Sequence, residues 1–568
     1  MRSFPSFGYG LMMNSLIPLS VSLLLGCFLP GQSTKKSASR PAPLPKNLAS
    51  KLDKGLPQAT GLTEIFVRMK GQLFVDAASY PAFQKENRGT NRRKLRKQIL
   101  AILKEKAAKS FESIRSLVKE LEKSKDLEGV RRYFIINGFA ARATPKGIVK
   151  LANSPETEFI YRKPARLPSL ALPKQERDLS KRIAKNKPFL QKMLRMWEEA
   201  QKRTKDYDYS SDAIQPTWNL RRIQADQAWK AGATGKGVLI AIIDDSLLPT
   251  PSLIGALWRN PKEKLNGMDD DGNGMVDDIF GWDFRGRAND CLSMNPRRRR
   301  PFSHGSMCSG ILAGRPTPKD GKLLVTGIAP EARLLFLRGS GLQAYEYAVE
   351  KGADVLSMSY MWVGIPLGNW RGLYRLAHEH MAAMGVVAVG GAGNFGKGGR
   401  RPAPEGKQIA LPKDIPCVIA AAGIDKEGKK APASSEGPCF WDGVRFYSDF
   451  PKDKPLRKPD VTGFFSGYPC WVPLNPRTRR LFKRIGWKIV HDVGDGYGLC
   501  IGPKGNSFSG PHAGGVAALL LSKAPGLPAW EVKRILETTA KDLGPKGWDK
   551  TFGWGLLQAF KATQAIPK

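Results

Sequence analysis

The sequence predicts an α/β protein: a large domain built on a mainly parallel sheet, preceded by a small α+β domain. Three observations carry this. From about residue 216, short apolar runs alternate with helix-forming stretches: GVLIAIID, ARLLFLRG, ADVLSMS, GVVAVGGAG and CVIAAAG. Runs that are apolar throughout are strands buried on both faces, the condition of a parallel sheet with helices on each side. Between 62 and 165 the order is strand, basic helix, two strands, helix, strand, which is the split ferredoxin-like arrangement. Residues 166–215 are charged and helix-prone. Their apolar positions are too sparse for a core, and they read as a connecting segment.

Each element follows from its residues. Residues 1–27 carry Arg2 and then an apolar run ending Leu24-Leu25-Gly26-Cys27, an export signal. That ending resembles the bacterial lipoprotein cleavage box, whose Cys carries the lipid. Ordinary secretory cleavage and an uncleaved anchor are the alternatives. The expected location is extracellular, periplasmic or on the cell surface, with membrane contact only through the signal or a lipid at Cys27. Residues 28–61 are rich in Pro, Ser and Lys and read as a linker. In the small domain, TEIFVRMKGQLFV is strand-like, and a basic helix runs from Arg92 to Lys123. RRYFIINGFAARA gives two strands hinged at Asn137-Gly138. Thr144-Pro145 supplies a helix cap and a first-turn proline. TEFIYR closes the domain.

Charge and cysteine narrow the function classes. Lys and Arg number 91 against 51 Asp and Glu, a net charge of +40. The basic runs are scattered and accompany no helix-turn-helix, zinc finger or RNP-like motif, so they read as a solvated surface and no nucleic-acid partner is expected. A basic surface-adhesion protein is the reading that this charge keeps open. Seven cysteines include no Cys-x-x-Cys pair, which argues against a zinc ribbon. Cys308 and Cys417 sit in apolar runs and read as small buried thiols. Cys439, Cys470 and Cys500 lie in loop-rich sequence and are the disulfide candidates, with no pairing deducible.

In open parallel sheets, functional groups collect at the carboxyl ends of strands. Asp244 ends the first strand of the large domain, and Asn394 follows the fourth. Nucleophilic hydrolysis needs a nucleophile, a base, a carboxylate to orient the base and a donor for the oxyanion. Four pieces offer these groups: IAIIDDS with Asp244, SHGSMCSGILAG with His304, AVGGAGNFG with Asn394 and GNSFSGPHAGG with Ser507. In these motifs and in their order, residues 216–568 resemble the subtilases, the subtilisin-like serine peptidases. The resemblance implies a three-layer fold, and an exported, self-processing endopeptidase acting on proteins or peptides without a catalytic cofactor. It implies Ser507 as nucleophile at the start of a buried helix, His304 as base, Asp244 as its orienting carboxylate and Asn394 as oxyanion donor. It implies substrate contacts at Ser359, Gly390, Gly391 and Ala410. Ala410 would floor the first specificity pocket and Phe395 stand near its rim, which suggests apolar residues of moderate size before the cut. It also implies that the 62–165 domain, through NGFAARATPKGIVKLANSPETEFIYR, is a propeptide: an intramolecular chaperone and inhibitor, cleaved somewhere after about residue 163.

Several residues depart from the family pattern. Asp245 and Ser246 follow Asp244. Asn506, Phe508 and Ser509 surround Ser507. Met361 and Trp362 stand where glycines usually flank the substrate-pairing strand. These departures motivate the rival reading, an impaired pseudo-peptidase serving as a surface binding protein. In DDDGNGMVDD, Asp269, Asp271, Asn273, Gly274 and Asp277 occupy EF-hand-like positions, with Phe280 where the last ligand would be. A structural calcium held by Asp269, Asp271, Asn273 and Asp277 is one reading, a solvated acidic loop the other. Arg297–Arg300 read as a solvated loop, His378 and His380 as an exposed helix face, and His512 as structural.

Overall fold

Val387–Gly391 is apolar or glycine at every position, and every one of its residues is buried. It is an interior strand of a seven-stranded parallel sheet. A computed structural model describes residues 45–56, 60–172, 180–203, 207–292, 302–494 and 496–567. The expected export signal, most of the linker and Arg297–Arg300 lie outside the described residues. The small domain has strands β1 (Thr63–Met69), β2 (Leu127–Tyr133), β3 (Gly138–Ala143) and β4 (Thr157–Arg162). They pair in the order β2-β3-β1-β4, antiparallel throughout, which is the ferredoxin-like topology. The helix Arg92–Lys123 buries Leu95, Ile99, Leu103, Ile114, Val118 and Leu121. That spacing makes one apolar stripe along its length. The Thr144 hydroxyl accepts the Gly147 N–H at 3.1 Å, with Pro145 in the first turn, as the sequence predicts.

The large sheet contains β5 (Leu239–Asp244), β6 (Gly281–Asp283), β7 (Arg333–Arg338), β8 (Val355–Met358), β9 (Val387–Gly391), β10 (Ile419–Ile424) and β11 (Val461–Phe464). Its order is β11-β10-β9-β8-β5-β7-β6. All pairs are parallel. The helix Asn506–Lys523 packs across the sheet centre, and its residues from Phe508 to Leu521 are buried. Its glycines allow the approach: a Cβ on Gly510 would stand 2.5 Å from the Gly391 nitrogen. Between β11 and this helix lies a small antiparallel sheet, β12 (Cys470–Pro473), β13 (Lys488–Gly494) and β14 (Tyr497–Ile501), with the helix Pro476–Ile485.

Four sequence expectations change. Residues 45–56 are not simple linker: Leu48, Leu52 and Leu56 recur every four residues and are buried, and Asp53 N–H donates to Ile160 O at 2.9 Å. The 166–215 segment does join the core. Its helix Ser180–Arg203 buries Leu190 and Met193, and the Trp197 indole donates to Leu257 O at 2.8 Å. The segment's stripe is narrow because only one side of the helix touches the body. His378 and His380 are fully buried: the His378 ring packs 4.8 Å from that of Tyr345 within the large domain, while the small domain covers His380 on the helix Trp370–Ala383. His380 Nδ1 lies 2.6 Å from Ile135 O of the small domain. The disulfide candidates are thiols: Cys439 donates weakly to Ile409 O, and Cys470 and Cys500 face each other across the β12–β14 ladder.

The two sheets are held together by charged groups meeting backbone. The Glu346 carboxylate accepts the N–H groups of Phe134 and Ile135 at 2.5 and 2.9 Å. Arg92 pairs with Asp354 at 2.7 Å, while Arg96 donates to the carbonyls of Gly352, Ala353 and Met384. No described helix is long and apolar enough to cross a membrane.

Candidate active site

Asp244 is the last residue of β5, paired in register with Arg338 of β7. His304 opens the helix His304–Ala313, whose cap is the Ser303 hydroxyl accepting Ser306 N–H at 3.1 Å. The strand end and the helix start bring the two side chains together: His304 Nδ1 lies 2.8 Å from Asp244 Oδ1 and 3.0 Å from Oδ2. Burial opposes charge on this imidazole, but the Asp244 carboxylate outweighs it and holds the His304 pKa well above 6.5. Burial pushes the Asp244 carboxyl up, and the imidazole and hydrogen bonds overcome that, leaving it below its usual range. Asp245 has its own task. Its Oδ1 accepts Gly305 N–H at 3.2 Å, in the first turn behind His304. Burial, and then Asp244, raise its pKa.

Ser507 is the second residue of the helix Asn506–Lys523, at the start of a buried helix as expected. The positive end of the helix dipole therefore lies at this serine. Its carbonyl accepts from Ser359 Oγ at 3.1 Å and from Cys308 Sγ at 3.4 Å. Cys308 is one turn past His304 and lies 3.7 Å from its Nδ1. The Phe508 ring stands 5.5 Å from the imidazole. Cys308, expected only as a buried thiol, thus ties the His304 helix to the Ser507 turn, which its place in an apolar run did not disclose. The Ser507 hydroxyl has no hydrogen-bond partner among the described residues. Such contacts commonly tighten only when substrate is bound.

Asn394 is exposed just beyond β9. Its Oδ1 accepts the Asn506 N–H at 2.7 Å, so the amide nitrogen is the end left for a ligand. Asn506 is anchored in turn. Its Nδ2 donates to Gly393 O at 2.7 Å and Ser434 Oγ at 3.0 Å, and its Oδ1 accepts from Ser509 Oγ at 3.1 Å. Two departures from the family pattern therefore form a single network behind the candidate oxyanion donor. His512 is structural, bonded to Phe508 O and Asn219.

The expected substrate contacts divide. Ser359 faces the Ser507 turn, and Ala410 is half-buried, with its N–H 3.3 Å from Met361 Sδ. Gly390 and Gly391 are buried packing positions instead. A Cβ on Gly390 would strike Lys413 Cε at 2.2 Å, and one on Gly391 would strike Asn506 O at 1.8 Å. They are glycines because a side chain and a helix turn press on them. Trp362 turns inward against Tyr360 and Tyr374, leaving Met361 as the bulky substitution at the cleft.

In the acidic loop, carboxylate oxygens of Glu263, Asp269 and Asp271 lie within 4.8 Å of one another. Glu263 Oε2, Asp271 Oδ1 and Asn273 Oδ1 are buried without a hydrogen-bond partner. Burial, and then the Asp278 carboxylate, push the Glu263 pKa up to about 7. Asp277 does not join them. Its Oδ1 accepts the N–H groups of Asn266 and Gly267, both at 3.0 Å, so it braces the loop. Glu263, outside the DDDGNGMVDD run, replaces it. Sequence spacing could not show this because the loop folds back on an upstream turn.

The family model described as the subtilase family matches residues 235–555, more than half of the 568. The chain belongs to the subtilase family. It is 25% identical over 487 residues to bacillopeptidase F of Bacillus subtilis (strain 168), covering 80% of this chain and 28% of that protein. It is 26% identical over 379 residues to fervidolysin of Fervidobacterium pennivorans, covering 63% and 45%. It is 25% identical over 360 residues to subtilisin DY of Bacillus licheniformis, covering 61% of this chain and 98% of that protein. The chain thus spans less than half the length of the first two relatives.

Proposed function

We propose that this subtilase is an exported, self-processing serine endopeptidase acting on proteins or peptides. The observation that carries the reading is the His304–Asp244 contact beside a serine at a helix start, with Asn394 held amide-outward. Ser507 Oγ attacks the scissile carbonyl while His304 Nε2 takes its proton, and Asp244 holds the Nδ1–H tautomer and stabilises the imidazolium. The Asn394 amide and the helix N-terminus receive the oxyanion. His304 then protonates the departing amine, and water repeats the sequence on the acyl-enzyme. In a site drifting toward a binding-only role, substituted residues would not be expected to complete one another. Asn506 and Ser509 do, which favours the enzyme over the pseudo-peptidase.

The small domain serves as the propeptide. Its docking through Glu346, Arg92 and Arg96 supports an intramolecular chaperone and inhibitor. Two relatives are named an extracellular serine protease, of Serratia marcescens, and the minor extracellular protease Epr, of Bacillus subtilis (strain 168). These names support export, with a lipid at Cys27 as the possible form of anchorage. The test is to produce the precursor beside its Ser507→Ala variant. The unaltered chain should cut itself between residues 163 and 215, and the variant should remain intact. Equal behaviour of the two defeats the reading.

A structural calcium fits the acidic loop, because three buried oxygens there lack partners and hard cations take carboxylate and amide oxygens. Glu263, Asp269, Asp271 and Asn273 would hold it and stabilise the loop. One relative, from Trichormus variabilis, is named a calcium-dependent protease. Calcium at 100 times its Kd should raise stability by about 2.7 kcal/mol. Thermal melts of Ser507→Ala with calcium or a chelator would read this, and Glu263→Gln should abolish most of the difference.

A further inference from the structure

The acyl half of a substrate is placed by the groups already described. Its carbonyl carbon meets Ser507 Oγ, and its oxygen points at the Asn394 amide. On that placement, the side chain before the cut enters the space between Gly393 and the Ser359–Met361 segment that follows β8, beside Ala410. In this protein that space is occupied. Met361 Cε lies 3.1 Å from where a Gly393 Cβ would stand, and Met361 Sδ receives the Ala410 N–H at 3.3 Å. The side chain therefore spans the slot from one wall to its floor.

Two features keep it there. Trp362 N–H donates to Leu411 O at 3.0 Å, and its ring packs 4.8 Å from that of Tyr374, which fixes the backbone after Met361. Below, the buried Lys413 lies over Gly390 and donates through Nζ to Tyr360 O, so the slot cannot deepen beneath Met361. A methionine left loose could swing aside for a large substrate group. One pinned on both sides and from below has nowhere to go without breaking these contacts.

We propose that Met361 is the specificity-determining residue of this site, and that the enzyme cuts after small residues: glycine, alanine or serine. This rests on the peptidase reading above and departs from the moderate-sized apolar preference expected from Ala410 and Phe395. A single extra methylene in a close pocket changes kcat/KM by about 10–200-fold. A phenylalanine or leucine before the cut should therefore be disfavoured against alanine by about 100-fold or more.

The test uses the full-length protein after self-processing, with peptides differing only in the residue before the cut: Gly, Ala, Leu, Phe or Lys. Fluorophosphonate labelling of Ser507 is measured alongside. The unaltered enzyme should favour Gly and Ala. Met361→Gly, with Met361→Ala as a second and milder opening, should raise kcat/KM on the Phe peptide by about 10-fold or more, chiefly through KM. Met361→Leu should keep the small-residue preference. A labelled enzyme that prefers Phe, Leu or Lys overturns the pocket inference and leaves the peptidase reading standing, as does one whose preference Met361→Gly and Met361→Ala leave unmoved. Absence of both labelling and cleavage overturns the peptidase reading, and this inference with it.

Discussion

His304 is held by both oxygens of Asp244, with Phe508 and Cys308 beside it. Its folded-state pKa is raised, so the neutral imidazole required as a base appears only at higher pH. The rising limb of kcat/KM should lie above pH 6.5, and Asp244→Asn should move it down while cutting turnover about 10⁴-fold. The stability sign agrees: the His304 contribution is full below pH 6.5 and lost as pH rises through the raised value. A limb below 6.5 in the unaltered enzyme would contradict the raised His304 pKa. Asn506→Ala tests the network behind Asn394. It keeps the backbone N–H that holds Asn394 Oδ1 but removes the side-chain bonds to Gly393 O, Ser434 and Ser509 that anchor this turn, costing about 1–3 kcal/mol for each buried group left unsatisfied. Turnover should fall through the loosened turn, but by less than the roughly 10²–10³ lost when the matching donor itself is removed from subtilisin, with KM little changed. Steady-state kinetics and a melt separate the two effects. The gathering of Asp244, His304, Asn394 and Ser507 at one site was legible from motif order. The tasks of Asn506, Ser509 and Asp245 were not, because they depend on hydrogen bonds between segments far apart in the chain.

At the scale of elements, the site exists because the helix Asn506–Lys523 lies directly on β9. Gly391 and Gly510 permit this, and a Gly391→Ala methyl would stand 1.8 Å from Asn506 O. Overpacking against backbone costs about 1–3 kcal/mol or more. Gly391→Ala should therefore lower the denaturation midpoint and reduce turnover together, since the displaced turn carries both Asn506 and Ser507. The apolar strands and this helix were readable because their burial is continuous. The helix Ser180–Arg203 was misjudged as a spacer because Leu190, Met193 and Trp197 are a thin stripe among many charges. A helix touching the body on one side needs no more than that.

Across the whole molecule, the small domain is not loosely tethered to the large one. Arg92 and Asp354 form an ion pair with side chains only 3% and 12% exposed. Removing one partner of such a pair costs about 3–5 kcal/mol. Arg92→Ala in the Ser507→Ala background should release the small domain to proteolysis well before the large domain melts. The burial of His380 belongs to this scale, whereas His378 is buried within the large domain against Tyr345. No helix periodicity shows that another domain will cover a helix face, so His380 was expected in solvent. The central claim is that Ser507, activated by His304 and Asp244, hydrolyses peptide bonds. It is tested most directly by exposing the self-processed enzyme and Ser507→Ala to a fluorophosphonate and locating the adduct by mass spectrometry. A single adduct on Ser507, with loss of peptide hydrolysis and none of either in the variant, is the predicted result. Hydrolysis that persists in Ser507→Ala, or an unlabelled Ser507 in a folded protein, would contradict it.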